Sequence, residues 1–183
     1  MPLPTRAVSR VLVALVLWSA AAAASAQESK SAPLAKQLAA ALDAAKMDCI
    51  AAPDPKAPDV FVAALYFPGL QLLVVSAKYT APQLITERLG KKEFRDIYID
   101  LNSASVPESK ILVEDAAADG LRVKRGDNQA FDSVDAGGKR ILFDSDWKKQ
   151  KMSEQDYMKA FAAADDQYAQ TLSLLLAQLK KSS

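Results

Sequence analysis

Histidine is absent from the 183 residues of this chain, and cysteine occurs only once. The first absence excludes Ser-His-Asp and Cys-His catalysis, a zinc site with a histidine ligand, and a histidine proton switch near neutral pH. A single cysteine excludes an internal disulfide framework and a four-cysteine metal site. Acid–base chemistry by Asp, Glu, Lys or Tyr stays open, but no spacing in the sequence groups such residues into a catalytic set.

The longest predominantly apolar run lies near the N-terminus. Residues 1–26 combine two arginines, this apolar run and the small-residue pattern Ala24-Ser25-Ala26, which together are typical of a cleaved secretory signal peptide. The alternative, a transmembrane anchor, needs about 20 apolar residues, and this run is shorter. We therefore expect a periplasmic or secreted protein whose mature chain, residues 27–183, forms a single domain without a membrane span.

A large charge of one sign is also lacking. The formal net charge is +1, and loss of residues 1–26 removes two arginines and no acidic residue, so it becomes −1. Proteins that bind nucleic acids carry a basic face or stripe. This charge balance therefore argues against a nucleic-acid partner.

The first half of the mature chain predicts a helix and a hairpin. Apolar residues recur at helical spacing after Ser31, a possible N-cap, and the helix is expected to end near Lys46. The proline-rich residues 51–58 cannot be helical and predict an extended loop or a strand connection. Residues 59–67 and 70–79 predict two strands of an antiparallel hairpin, and their nearly continuous apolar character predicts that both faces are covered.

The second half predicts further strands and a long final helix. The predicted elements are a helix at 80–90, a half-buried strand at 96–101, short strands at 110–114, 121–124, 131–134 and 139–143, and a helix at 154–181. Ser153 and Asp156 have capping-box spacing at the start of the last helix. Its apolar stripe consists of Tyr157, Phe161, Ala164, Tyr168, Leu172, Leu175 and Leu179. We expect this helix to extend past the sheet or to pack against a second subunit.

These elements predict an α+β fold with a mainly antiparallel sheet or a split β-barrel. A leading helix, a crossover helix and a long C-terminal helix complete the predicted architecture.

Two groups of residues are candidates for cysteine or metal chemistry. Cys49 could be a redox thiol or form an intermolecular disulfide, but it lacks an electropositive setting, and a small buried side chain at the start of a strand is the favoured interpretation. Five aspartates in or near loops could hold calcium, but they lack the ligand spacing of a calcium loop, and turn formation is favoured. They are Asp127, Asp132, Asp135, Asp144 and Asp146.

A candidate anion site lies where the second strand of the hairpin leads into the predicted helix. A phosphate or a carboxylate could be held there by Ser76, Lys78 and the backbone amides at the start of the helix, beside Tyr79 and Thr80. Arg88 lies further along the same element. The alternative is an ordinary strand end followed by a capped helix.

Residues 48–101 show a pattern resemblance to a known family. They include GLQLLVVSAKYTAPQLITERLGKKEFRDIYIDL, which resembles the core of the FMN-binding split barrels, the pyridoxamine-phosphate-oxidase-like group. The resemblance implies an antiparallel barrel with a leading helix, FMN as the cofactor, and a homodimer around the flavin. The position at which the family carries a basic residue that binds the flavin phosphate is occupied here by Ala81 or Pro82. Lys78 could take over that role from a different position.

Two functions follow from this reading. The first is an exported non-catalytic domain that binds a small ligand or a partner protein. The second is a flavin-binding split-barrel protein, a class that includes FMN-dependent oxidoreductases.

Overall fold

The computed structural model describes residues 29–55, 57–78, 91, 111–124, 130–136 and 139–182. Its elements, in chain order, are α1 (Ala32–Ala45), β1 (Cys49–Asp54), β2 (Ala57–Phe67), a short 3-10 turn (Pro68–Leu70), β3 (Leu72–Lys78), β4 (Ile111–Ala116), β5 (Ser133–Ala136), β6 (Lys139–Leu142) and α2 (Glu154–Ser182). The fold is α+β, as predicted. The six strands form one sheet in which each strand pairs antiparallel with the next.

Helix α1 begins and ends where its sequence predicts. Pro33 occupies the first turn, where its missing amide costs no hydrogen bond. Lys46 ends the helix in the left-handed conformation, with φ of 53°. The prediction that the Ser31 side chain caps the helix is wrong, because this hydroxyl donates to Asp165 and accepts from the amide of Leu121 instead.

Strands β2 and β3 form the predicted hairpin across the Pro68–Leu70 turn, with Ala64 opposite Val75. Five consecutive residues, 62–66, are buried, so both faces of β2 are covered. Residues 51–54, which were predicted to form an extended loop or a strand connection, belong to β1. Pro53 is tolerated there because β1 is an edge strand of the described sheet, where a proline removes no ladder hydrogen bond.

Strands β4, β5 and β6 confirm the later strand predictions, with Val134 of β5 opposite Ile141 of β6. The strand predicted at residues 121–124 is wrong. The amides in this segment donate to side chains and to a loop carbonyl instead of to a neighbouring strand. The pairs are Leu121 with Ser31 Oγ, Arg122 with Asp132 Oδ2, and Lys124 with the carbonyl of Phe143.

Helix α2 confirms the predicted final helix. Ser153 Oγ accepts the Asp156 amide at 3.1 Å and donates to the Asp156 carboxylate at 2.7 Å. The predicted apolar stripe is buried except for Phe161, which is half-buried and packs edge-on against Phe143. The helix extends for about 43 Å and contacts α1 and strands β1 to β4. Leu172 is fully buried, so this stripe is used within the chain, and a homodimer stays a prediction.

The central strands of the sheet are buried on both faces. The face toward α1 and α2 carries the main core, which includes Ala64, Val75 and Val113. The opposite face carries a second apolar cluster of Cys49, Ala63, Leu65, Val74 and Leu112. This double burial explains why the central strands are nearly continuous apolar runs in the sequence.

The described strands form an open sheet, with β1 at one edge and β6 at the other. The crossover helix predicted at residues 80–90 and the strand predicted at 96–101 lie outside the described residues. No helix in the described part of the chain is long and apolar enough to cross a membrane.

Gly120 provides a test of how α1 meets the loop after β4. It has φ of +90°, and an added Cβ would lie 2.5 Å from the Ala32 nitrogen and closer still to its Cα. Both atoms belong to the backbone, so Gly120→Ala should lower the free energy of unfolding by about 3 kcal/mol. Gly69→Ala is the matched control, because a Cβ there meets nothing within 4 Å. Denaturant unfolding measures both, and equal stability of the two variants would contradict the close approach.

Candidate functional site

Ser76 is the one predicted anion-site residue whose side chain the structure describes. It lies near the end of β3, on the same face as Val74, and stands between Ala63 and Leu112 in the strand register. Its side chain is fully buried, and its hydroxyl has no hydrogen-bond partner. Buried hydroxyls usually have one, so Ser76 is an exception that needs an explanation.

The rest of the predicted anion site is only partly placed. Lys78 is the last residue of β3, but its side chain lies outside the described part of the structure, as do Tyr79, Thr80 and Arg88. The structure therefore describes no anion-binding arrangement among these five residues.

Cys49 is a buried side chain at the start of β1, as the favoured interpretation predicted. Burial, with a smaller contribution from the Asp48 charge, raises the pKa of its thiol to about 12. A thiol with such a pKa is almost entirely protonated at neutral pH, so it is a poor nucleophile.

The aspartates considered for calcium make turn and loop contacts. Asp144 accepts the amide of Asp146, and Asp146 accepts the amide of Lys149 and pairs with its ammonium. Asp127 lies outside the described residues, and the described part of the chain contains no group of three or more acidic, Cys or His side chains suited to a metal ion.

Asp115, near the end of β4, is fully buried and accepts hydrogen bonds with both carboxylate oxygens. Oδ1 accepts the amide of Asp119, and Oδ2 accepts the amide of Gly120 at 2.9 Å and the hydroxyl of Tyr168 at 3.0 Å. Burial, and next the charge of Asp132, raise the pKa of Asp115 to about 7 although its three donors lower it. The side chain thereby links the loop after β4 to helix α2.

Asp132, just before β5, binds the same loop from its other side. Its Oδ1 accepts the amide of Ala116 at 2.9 Å and its Oδ2 accepts the amide of Arg122 at 2.7 Å. Burial raises the pKa of Asp132 to about 6, and the ammonium of Lys124, 3.5 Å from Oδ1, is the main opposing influence. Four backbone amides of residues 116–122 are thus bound by two neighbouring carboxylates.

A third buried carboxylate, Asp165 of α2, holds the segment that precedes α1. Its Oδ1 accepts the hydroxyls of Ser29 and Ser31 and the amide of Ser31, while its Oδ2 accepts the amide of Lys30 at 2.7 Å. The Ser31 hydroxyl in turn accepts the amide of Leu121. Ser31 therefore joins the Asp165 contacts to the loop that Asp115 and Asp132 bind.

Neither Asp115 nor Asp165 stands out in the sequence as part of a motif. A weaker signal is present in each case. Strand alternation places Asp115 on the same face as Val113, the face that α2 covers. Helical spacing places Asp165 three positions before Tyr168, beside the apolar stripe. A carboxylate at a position expected to be apolar therefore indicates a buried acceptor of backbone amides.

An open cleft lies beside this network, at the end of the sheet where β3 begins and β4 ends. Its volume is about 380 Å³, and its lining consists of Gly69, Leu70, Gln71, Ala116, Ala117, Lys124 and Ala130. Leu70 is 74% exposed, the largest exposure among the large apolar side chains described. The Lys124 ammonium donates to the carbonyl of Ala116 at 2.8 Å. The cleft thus combines an apolar rim with one partly buried cation.

Comparisons with protein-family models, with curated proteins and with solved structures find no match to this chain.

Asp165 offers a test of the buried network. In Asp165→Asn one of the two oxygens becomes an NH₂ group that faces a backbone N–H, of either Lys30 or Ser31. We expect the free energy of unfolding to fall by about 1–3 kcal/mol. Asp166→Asn is the adjacent control: its ion pair with Lys30 is exposed, so this variant should stay close to the parent protein. Thermal unfolding compares the two, and equal losses would contradict a buried role for Asp165.

Proposed function

We propose that this protein is an exported domain that binds a partner protein at the cleft beside the turn between β2 and β3. The observation that carries the proposal is the exposure of Leu70 at the rim of that cleft. A large apolar side chain at the rim of a concave surface offers an anchor to a docked molecule. A small ligand is the other possible occupant.

The shape of the cleft favours a protein over a small molecule. Small-molecule pockets usually bury about 70% or more of the ligand's surface. This cleft is open, so it would leave much of a small ligand exposed. Leu70 projects from a turn whose neighbours Gly69 and Gln71 are exposed as well. Such a projecting side chain fits an apolar pocket on a partner surface.

Lys124 adds a polar element to the same surface. An ammonium has three N–H donors, and its contacts with the Ala116 carbonyl and with Asp132 use two of them. The third is available to an acceptor on the partner. We therefore expect the partner to present an apolar side chain near a carbonyl or carboxylate oxygen.

Export rests on the signal-peptide pattern of residues 1–26, and the predicted cleavage is compatible with the described contacts. The predicted cleavage site follows Ala26, and Ser29 already contacts the core through its hydrogen bond to Asp165 at 2.7 Å. Cleavage at that point would leave the whole Asp165 network intact. The predicted mature chain therefore contains every residue that these contacts require.

A second candidate function, flavin binding by a split barrel, is favoured by one observation. The buried Ser76 hydroxyl has no partner, and it occupies the strand end where the resemblance implies phosphate binding. If this candidate is correct, FMN fluorescence should be quenched on titration with the purified protein, and Ser76→Ala should weaken the binding by about tenfold, the effect of one lost hydrogen bond. Unquenched FMN at saturating protein would exclude the candidate.

The cleft proposal is tested by photo-crosslinking in cells that export the protein. A photoreactive residue at position 71 should yield one discrete crosslinked partner, and Leu70→Asp should abolish the product because a charge replaces the apolar anchor. Met158→Asp is the control, since Met158 is also exposed but lies on α2. The mass of the crosslinked chain reports export, because cleavage removes residues 1–26. A product that survives Leu70→Asp would contradict the proposed surface.

A further inference from the structure

The cleft beside the turn between β2 and β3 carries a projecting side chain and a hollow next to each other. The side chain is Leu70, which is 74% exposed and lies on the rim. The hollow is lined by the small side chains of Ala116, Ala117 and Ala130, in a cleft of about 380 Å³. A leucine side chain fits such a hollow, but Leu70 forms the rim of its own cleft and projects from it into solvent.

The charges around the cleft decide which kind of acceptor suits Lys124. Its ammonium lies 3.5 Å from Asp132 Oδ1 and donates to the Ala116 carbonyl at 2.8 Å. A buried carboxylate therefore already balances this cation, and a carboxylate brought in by a partner would face Asp132 as a like charge. An uncharged carbonyl or amide oxygen accepts the third N–H without that repulsion. The cleft is accordingly suited to a neutral, apolar segment.

The turn that carries Leu70 has the properties that this cleft requires. Residues 68–71 contain no charged side chain, and Gly69, Leu70 and Gln71 are exposed. An added Cβ at Gly69 would meet nothing within 4 Å, so the turn is open to an approaching surface. It offers an apolar side chain together with backbone carbonyls and the Gln71 amide oxygen. A second copy of this chain therefore supplies both features expected of the partner.

We propose that the partner at this cleft is a second copy of this chain, and that Leu70 of each copy enters the hollow of the other across a two-fold axis. Leu70 lines the cleft of its own chain, so the projecting side chain and the hollow lie side by side, and one isologous interface contains both reciprocal contacts. The two copies repel each other little, because the predicted mature chain has a formal net charge of −1. This inference rests on the proposed function, since it names the partner at the same cleft.

The size of the surface sets the strength of this dimer. Seven described residues of each copy line the cleft, whereas a standard stable interface engages about 20–30 residues on each side. We therefore expect a reversible dimer whose affinity is concentrated in the two leucine side chains. Burial of one leucine raises an association constant roughly ten- to hundredfold, so loss of either contact is measurable.

A photoreactive residue at position 71 identifies the partner in cells that export the protein. The crosslinked product should have twice the mass of the mature chain, contain peptides of this chain alone, and disappear with Leu70→Asp. A Leu70-dependent product that contains another protein would overturn the second copy and leave the proposed cleft standing. If no product depends on Leu70, the proposed cleft itself fails, and the second copy with it.

Two purified variants test the reciprocal contact by analytical ultracentrifugation. Leu70→Ala removes the projecting side chain, and Ala130→Trp, at an exposed position of the lining, fills the hollow. Each should weaken self-association at least about tenfold. An equimolar mixture should associate more tightly than either variant alone, because Leu70 of one variant enters the open hollow of the other. Recovery in the mixture also shows that both variants are folded.

Met158→Ala is the control, since Met158 is exposed on α2 away from the turn, and it should keep the association of the parent protein. A mixture that associates no more tightly than its components would overturn the proposal. A parent protein that stays monomeric up to about 1 mM would overturn it as well.

Discussion

The interaction on which the structure depends is the binding of backbone amides by buried carboxylates. Six backbone amides near these carboxylates need an acceptor outside regular secondary structure, and a buried amide without an acceptor is costly; they are those of Lys30, Ser31, Ala116, Asp119, Gly120 and Arg122. Asp115, Asp132 and Asp165 accept them, each with both oxygens. The three carboxylates thus allow irregular backbone to pack against α2 and the start of α1, where a loop would otherwise have to remain in water.

The same arrangement gives each layer of the fold a distinct source of stability. Helix α2 crosses four strands through an apolar stripe, so the contact between helix and sheet is held by burial of apolar side chains. The segment before α1 is instead held by directional hydrogen bonds, and the loop after β4 combines such bonds with the burial of Ala118 and Leu121 in the core. Apolar packing tolerates small shifts, whereas hydrogen bonds to a fixed carboxylate do not. The position of the hydrogen-bonded segments is therefore defined more specifically than the contact between α2 and the sheet.

The sequence predicted the regular elements well because their signals are local. Helical spacing of apolar residues such as Tyr157, Tyr168 and Leu175 predicts α2. The turn at Pro68 between two apolar strand segments predicts the hairpin. Residues 121–124 alternate like a strand but are bound by Ser31, Asp132 and Phe143, partners that no local pattern identifies. The carboxylate network and the cleft were not predicted for the same reason, because both arise from contacts between distant parts of the chain.

The contact between Ser29 and Asp165 joins the two ends of the described chain, and this limits when it can form. The two residues are 136 positions apart, and Asp165 belongs to the last helix. Ribosomes make the chain from its N-terminus, so nearly the entire domain is synthesised before the partner of Ser29 exists. Contacts of such long sequence separation slow folding. The hydrogen bonds of Asp165 to the segment before α1 are therefore among the last contacts that can form during synthesis, and until then the amides of Lys30 and Ser31 lack these acceptors.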